Sequence, residues 1–263
     1  MIRRGYSDGP FGQVHWRLCG ARTNEPDLVC LHPAPFSGLA FTSIMPFLAA
    51  HHRVIAPDFP GHGGSDPHRP DASVDDYAMA MVSVIRDLSP ERPVDVIGFH
   101  TGCLVACELS LLAPAAVRSL VLIDAPAFDQ EARRDHLVAS AAPPGFSEDM
   151  ASLVPAWERG ITRRIETNGL DRSFAMFVEQ LRHGEAMNAG FHAGFSYPVE
   201  ERLAAVSHPT TVIATQSMLL EPSRRAASLI PGARLVERLD ITRAVLDEAA
   251  EVMAQEVLAS LPS

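Results

Sequence analysis

The segment richest in chemistry is Val94-Asp95-Val96-Ile97-Gly98-Phe99-His100-Thr101-Gly102. An apolar run ends in Gly-x-His-x-Gly and passes straight into an apolar stretch with helical spacing. Glycines on both sides of a strand-to-helix turn leave room where side chains would collide. They lift the central residue above the edge of a sheet. Here that residue is His100. An imidazole whose conjugate acid titrates near ~6.5 suits proton transfer at neutral pH, so His100 reads as a general base or acid. Two other roles compete. As a nucleophile it would form an acyl- or alkyl-imidazole, which hydrolyses fast and is seldom relied on. In the third role the pocket around it binds a ligand without turnover.

Composition narrows the remaining chemistry. All 22 basic residues are arginine, and there is no lysine. This excludes Schiff-base lysine chemistry and a standard phosphate-loop lysine. The net charge of -10, with no long arginine run, makes a poor nucleic-acid binder. Cys19, Cys30, Cys103 and Cys107 lack metal-ligand spacing and read as reduced packing residues of a cytoplasmic protein. The histidines form no three-ligand cluster, so no metal and no cofactor are expected. No apolar run reaches the ~18 residues of a membrane span. Met1-Ile2-Arg3-Arg4-Gly5 leads into polar residues rather than the apolar core of a signal peptide.

The elements that must position His100 follow from periodicity. Short apolar runs predict strands over Val14–Cys19, Leu28–Leu31, Arg53–Ala56, Val94–Gly98, Ser119–Ile123, Thr211–Ala214 and Arg234–Val236. Helical patterns lie between them, near Leu39–Ala50, Val74–Leu88, Gly102–Leu112, Pro222–Leu229 and Ala244–Leu261. Such alternation means a mostly parallel sheet with helices on both faces. It breaks between Ala127 and about Ser207, where Pro143-Pro144-Gly145 and several helical segments replace strands. That stretch carries Trp157, Phe174, Phe177, Phe191, Phe195 and Tyr197. It predicts a helical lid whose aromatics mostly pack on one another, while Trp157, Phe177, His192 and Phe195 face a ligand cavity. Arg133-Arg134 and Arg163-Arg164 read first as a solvated helix face paired with Glu131, Glu158 and Glu166, and second as a clamp for a substrate carboxylate.

Four segments, in order, carry a resemblance. They are Leu31-His32-Pro33-Ala34-Pro35, Ala56-Pro57-Asp58-Phe59-Pro60-Gly61-His62-Gly63-Gly64-Ser65-Asp66, the Gly98–Gly102 elbow, and Leu120-Val121-Leu122-Ile123-Asp124-Ala125-Pro126. Together they resemble the α/β-hydrolase fold superfamily over nearly the whole chain outside 127–207. The resemblance implies an α/β core over 1–126 and 208–263 with a helical lid over 127–207. It also implies an oxyanion hole from the backbone amides of Thr101 and Ala34. The chain departs from the superfamily at all three triad positions. His100 replaces the elbow serine. Ser217 or Met218 stands where the acid falls, and Thr242 or Arg243 where the late histidine falls.

Acyl-serine hydrolysis is therefore not expected. The expectation is a cofactor-independent enzyme for a small, largely apolar carbonyl compound. Its reaction would be non-serine hydrolysis or lyase, isomerase or cyclase chemistry. His100 would act as acid or base, with Asp124 the first candidate partner and Asp58 the second. His32, Pro33, Pro35 and Phe36 would line the pocket, His32 bracing its loop and His62 holding a turn. His51, His52, His68 and His208 read as surface or loop residues, and His136 and His183 as lid residues. The alternative is an inactive homologue that binds a small ligand or a protein partner. A homodimer stays open.

Overall fold

The computed structural model describes all residues except Pro70, 141–147, His183 and Ser263, and gives only the backbone of Glu185 and Ala186. Pro143-Pro144-Gly145 and His183 thus lie outside the described residues. The strands are β1 (Arg3–Gly9), β2 (Gly12–Cys19), β3 (Leu28–Leu31), β4 (Val54–Pro57), β5 (Val94–Phe99), β6 (Val117–Ile123), β7 (Thr210–Thr215) and β8 (Arg234–Arg238). They form one sheet in the order β1-β2-β4-β3-β5-β6-β7-β8. β1 and β2 run antiparallel to their neighbours, and the rest pair in parallel.

β3 to β7 are buried on both faces, which is why they read as unbroken apolar runs. Alternate residues feed two cores. Val29, Leu31, Val96, Leu120 and Leu122 pack under Val74–Leu88 and Thr101–Leu112. Leu28, Cys30, Ile97, Val121 and Ile123 pack under the C-terminal helix, Ala250–Ser260. All four cysteines are buried and unbridged.

Three predicted elements differ. β1 has no counterpart in the sequence pattern, because it is an edge strand with six of its seven residues at least partly solvated and no apolar run. Leu39–Ala50 is not one helix but two short turns, Gly38–Phe41 and Met45–Leu48. The last helix starts at Ala250 rather than Ala244, since Ala244 takes φ 46° and cannot begin a right-handed helix.

The parallel register puts the ends of the middle strands side by side. Leu31 pairs with Gly98, and Phe99 with Ile123. The residues that follow, His32 to Phe36, His100 and Asp124, share one edge at the point where ligands settle in open α/β sheets. Between β6 and β7 the described residues contain helices and turns but no strand. The longer helices are Gln130–Ser140, Leu170–Leu181 and Ala189–Ser196. Among the described residues no helix is long and apolar enough to cross a membrane.

Arg172 ties this insertion to the core. Its guanidinium donates to Asp247 at 2.8 Å and to the carbonyls of Leu39 and Ala40 at 3.0 Å each. Nearby, the Ser37 hydroxyl bonds Glu179. Arg172→Ala removes these charge-assisted bonds across the seam, and the expected loss is about 1–3 kcal/mol of stability. A thermal melt checks this. A midpoint lower by several degrees is expected, and an unchanged one would show the anchor to be idle.

Candidate functional site

The elbow is built by steric exclusion. A Cβ on Gly98 would lie 2.6 Å from the Cys103 Cα, and one on Gly102 would lie 2.0 Å from the Leu31 carbonyl oxygen. With both neighbours bare, the chain turns at once from β5 into the helix Thr101–Leu112. His100, at the apex, takes φ 50° and ψ -120°. That backbone is costly for a residue with a Cβ, and such strain is held only where the surroundings fix it. The fixing bonds run from the His100 amide to the Ile123 carbonyl at 3.1 Å, and from the Cys103 amide to the His100 carbonyl at 2.8 Å.

The His100 ring packs on Phe99, centroid to centroid 4.1 Å, and its nitrogens make no hydrogen bond to any described residue. It stands where two chambers meet. The larger holds about 570 Å³ and is lined by Pro33, Ala34, Pro35, Phe36, Phe177, Asp124, Ser217, Thr242 and four arginines, Arg159, Arg163, Arg164 and Arg243. The smaller holds about 380 Å³ and is chiefly apolar, with Leu104, Phe128, Phe191, Phe195 and Leu219 in its wall. Ala34 and His100 line both; Thr101 lines the smaller. Among the described residues, neither the Thr101 nor the Ala34 amide has an acceptor. Two unengaged donors beside an unengaged imidazole can hold an oxyanion while the ring handles a proton.

Electrostatics departs from expectation. Burial, assisted by the Arg164 charge, drives the His100 conjugate acid down to about 4 rather than leaving it near the free value. The ring is therefore neutral at pH 7, ready to accept a proton but weakly basic.

Asp124 is not its partner. One Asp124 oxygen accepts from the Thr215 amide at 2.8 Å and the other from the Thr215 hydroxyl at 2.7 Å. Burial raises its pKa against the pull of those bonds and of Ser217. Asp58 is also unavailable. It is fully buried and binds Arg17 at 2.6 Å, His15 at 2.8 Å, and the amides of Gly38 at 2.8 Å and Gly64 at 2.9 Å. These contacts fasten two loops to β2, and they hold its carboxyl below the usual range despite burial.

Other expectations are corrected by position. His32 does not line the pocket. It is wholly buried, its Nε2 accepting from the Phe59 amide at 2.9 Å and its Nδ1 facing the Pro33 carbonyl at 3.0 Å, which makes it a brace under that loop. Trp157 is 43% exposed and meets Phe177 edge-on, outside both chambers. His192 is exposed on its helix, because it falls on the face away from the core that Ala193 and Gly194 reach. His52 and His68 are not free loop residues: His52 is buried against the Pro26 carbonyl at 2.8 Å, and the His68 side chain is buried beside Asp76. Arg133 pairs with Glu200 at 2.7 Å rather than with Glu131. Arg163 and Arg164 pair with no carboxylate among the described residues.

Sequence reasoning missed Arg159, Phe128 and His136 as chamber residues. His136 stacks on Phe195 at 4.6 Å, an arrangement between two helices that no local spacing signals.

A family model described as alpha/beta hydrolase fold matches residues 26–194. A pimeloyl-[acyl-carrier protein] methyl ester esterase of Aromatoleum aromaticum is 30% identical over 232 residues, covering 81% of this chain and 88% of that protein. A hydrolase from Pseudomonas aeruginosa superposes with a TM-score of 0.81 at 22% identity, over 99% of each chain. An enol-lactonase from Burkholderia xenovorans gives 0.78 at 20% identity, over 97% of this chain and 99% of its own.

Proposed function

The chain belongs to the α/β-hydrolase fold family, and from that membership we propose a hydrolase-type enzyme that cleaves a small carbonyl compound without an acyl-enzyme. The observation that carries the reading is His100 itself. It is a strained residue set between two chambers, and among the described residues its ring nitrogens and the two amides beside it have no hydrogen-bond partner. In the proposed step, a water oxygen attacks the carbonyl carbon while His100 takes the water's proton. The oxygen that becomes negative is held by the Ala34 and Thr101 amides. The tetrahedral species then collapses, its ester C–O bond breaks, and His100 returns the proton to the leaving alkoxide. Residues 127–207 act as a lid that keeps bulk water from this step.

One observation favours a second reading, a binding protein of the same fold. Among the described residues no carboxylate touches His100, and its basicity is depressed, so the usual orienting partner is not among them.

The test is turnover of short p-nitrophenyl esters from about pH 3.5 to 8. His100 works in its neutral form, and its conjugate acid titrates at about 4. Activity is therefore expected to be flat near neutrality and to fall as pH drops through about 4. An acid limb near ~6.5 would show another base at work. Saturable ligand binding with no turnover at any pH would establish the second reading.

A further inference from the structure

The hydrolytic reading leaves the arginines of the larger chamber unused. Arg159, Arg163 and Arg164 come from one short stretch of the insertion, which takes a single wide turn. There the Arg163 amide bonds the Glu158 carbonyl five residues back at 3.1 Å. An ordinary helix already places Arg159 and Arg163 on one face, and the wider turn brings Arg164 round to join them. All three side chains reach the chamber, and none has a carboxylate within ion-pair distance among the described residues. Arg243, from the segment after β8, also lines the chamber, and its one ion pair among the described residues is to the exposed Glu248 at 3.2 Å.

The chamber's own acids do not neutralise this set. Asp124 is held by Thr215, and Asp247 by Arg172 and by the Ser43 hydroxyl at 2.6 Å. A chain of net charge -10 thus concentrates uncompensated cations on one wall beside its reactive residue. The chamber across His100 is the opposite, walled by Phe128, Phe191 and Phe195.

We propose that the substrate is bipolar: an apolar arm in the aromatic chamber, the reacting carbonyl at His100, and an oxyanionic group held by Arg159, Arg163 and Arg164 in the larger chamber. This rests on the reading that the carbonyl reacts at His100. Guanidinium forks match the paired oxygens of a carboxylate and those of a phosphate monoester equally, so either group supplies the chemistry. The arginines are solvent-exposed at the chamber mouth, so their pull is screened by salt.

Three p-nitrophenyl esters of matched acyl length separate the possibilities. One ends in a methyl, one in a carboxylate and one in a phosphate. The KM for at least one anionic ester is expected to be lower than for the neutral ester by about tenfold, an advantage that fades at about 0.5 M salt. In the double variant Arg163→Gln, Arg164→Gln the ratio falls toward one, while Arg163→Lys, Arg164→Lys keeps part of it. The anionic ester with the lower KM identifies the group. A ratio near one in the unaltered protein, or one that the glutamine variant leaves unchanged, overturns the proposal. Calorimetric titration of the His100→Ala variant with dimethyl adipate, monomethyl adipate and an alkyl phosphate monoester of like length reads the same preference without turnover. If the unaltered protein cleaves no ester but either anion binds more tightly than the neutral ester in an Arg163- and Arg164-dependent way, the hydrolytic reading fails and the anion site stands. Equal binding of all three overturns the site itself.

Discussion

Replacing His100 by alanine is expected to lower kcat/KM for a small ester by about 10²–10⁴-fold, the usual contribution of a positioned acid or base. The loss should fall on kcat. His100 holds no substrate group in the proposed scheme, and the chamber walls and both amides stay in place. His100→Gln keeps the bulk and polarity but accepts no proton at neutral pH, so it should fail as badly. The sharper comparison is His100→Ser, which restores the residue that elbows of this family usually carry. It should be no better than alanine, because Thr242 and Arg243 stand where a base would be needed to activate it. A serine variant faster than the parent would mean that another base lies within reach and that the water-attack scheme is wrong. Turnover undiminished in all three variants would remove His100 from the reaction altogether.

Gly102→Ala should be the most destructive single methyl at any described glycine. The new Cβ would sit 2.0 Å from the Leu31 carbonyl oxygen and 2.9 Å from that of His32. Both are backbone atoms, and Leu31 is locked into β3 against β5. No side chain can swing away, so the helix must back off from the sheet or β3 must shift. A cost above ~4 kcal/mol is expected, a large part of the ~5–15 kcal/mol that holds a domain folded. Gly232→Ala makes the control. Nothing lies within 4 Å of its added Cβ, and only the positive φ of 71° is penalised, at about 1–2 kcal/mol. Denaturant midpoints of the two variants measure the difference. Equal midpoints would mean that the elbow tolerates a side chain at position 102 and that its geometry is looser than described.

The parts of this molecule that could be read from its sequence are those whose reasons are local. Val94–Phe99 announces itself because a strand covered on both faces needs an unbroken apolar run. Gly98 and Gly102 announce the elbow because no other residue fits there. Helix Val74–Leu88 starts where its local signal lies, since Ser73 caps it and Asp76 in its first turn completes the capping box. What escaped depends on distant partners. Asp124 lies beside the elbow as expected, yet its oxygens are taken by Thr215, a residue 91 positions away. Arg163 and Arg164 are solvated, as their spacing suggests, but that spacing does not tell that they border the cavity with Arg159 and lack the carboxylate partners expected of them. Trp157 is a plausible cavity wall by type and is instead displayed to solvent. The depressed basicity of His100 follows from burial and from Arg164, neither visible in the Gly-x-His-x-Gly pattern.

The strained elbow also makes position 100 interchangeable in a practical sense. Its backbone is set by Gly98, Gly102 and the bonds to Ile123 and Cys103, not by the side chain it carries. Whatever stands there is displayed to both chambers. Since the four native thiols are all buried, a cysteine at this one place would be the sole reactive handle, a point for attaching a reporter dye or a crosslinker at the heart of the cavity.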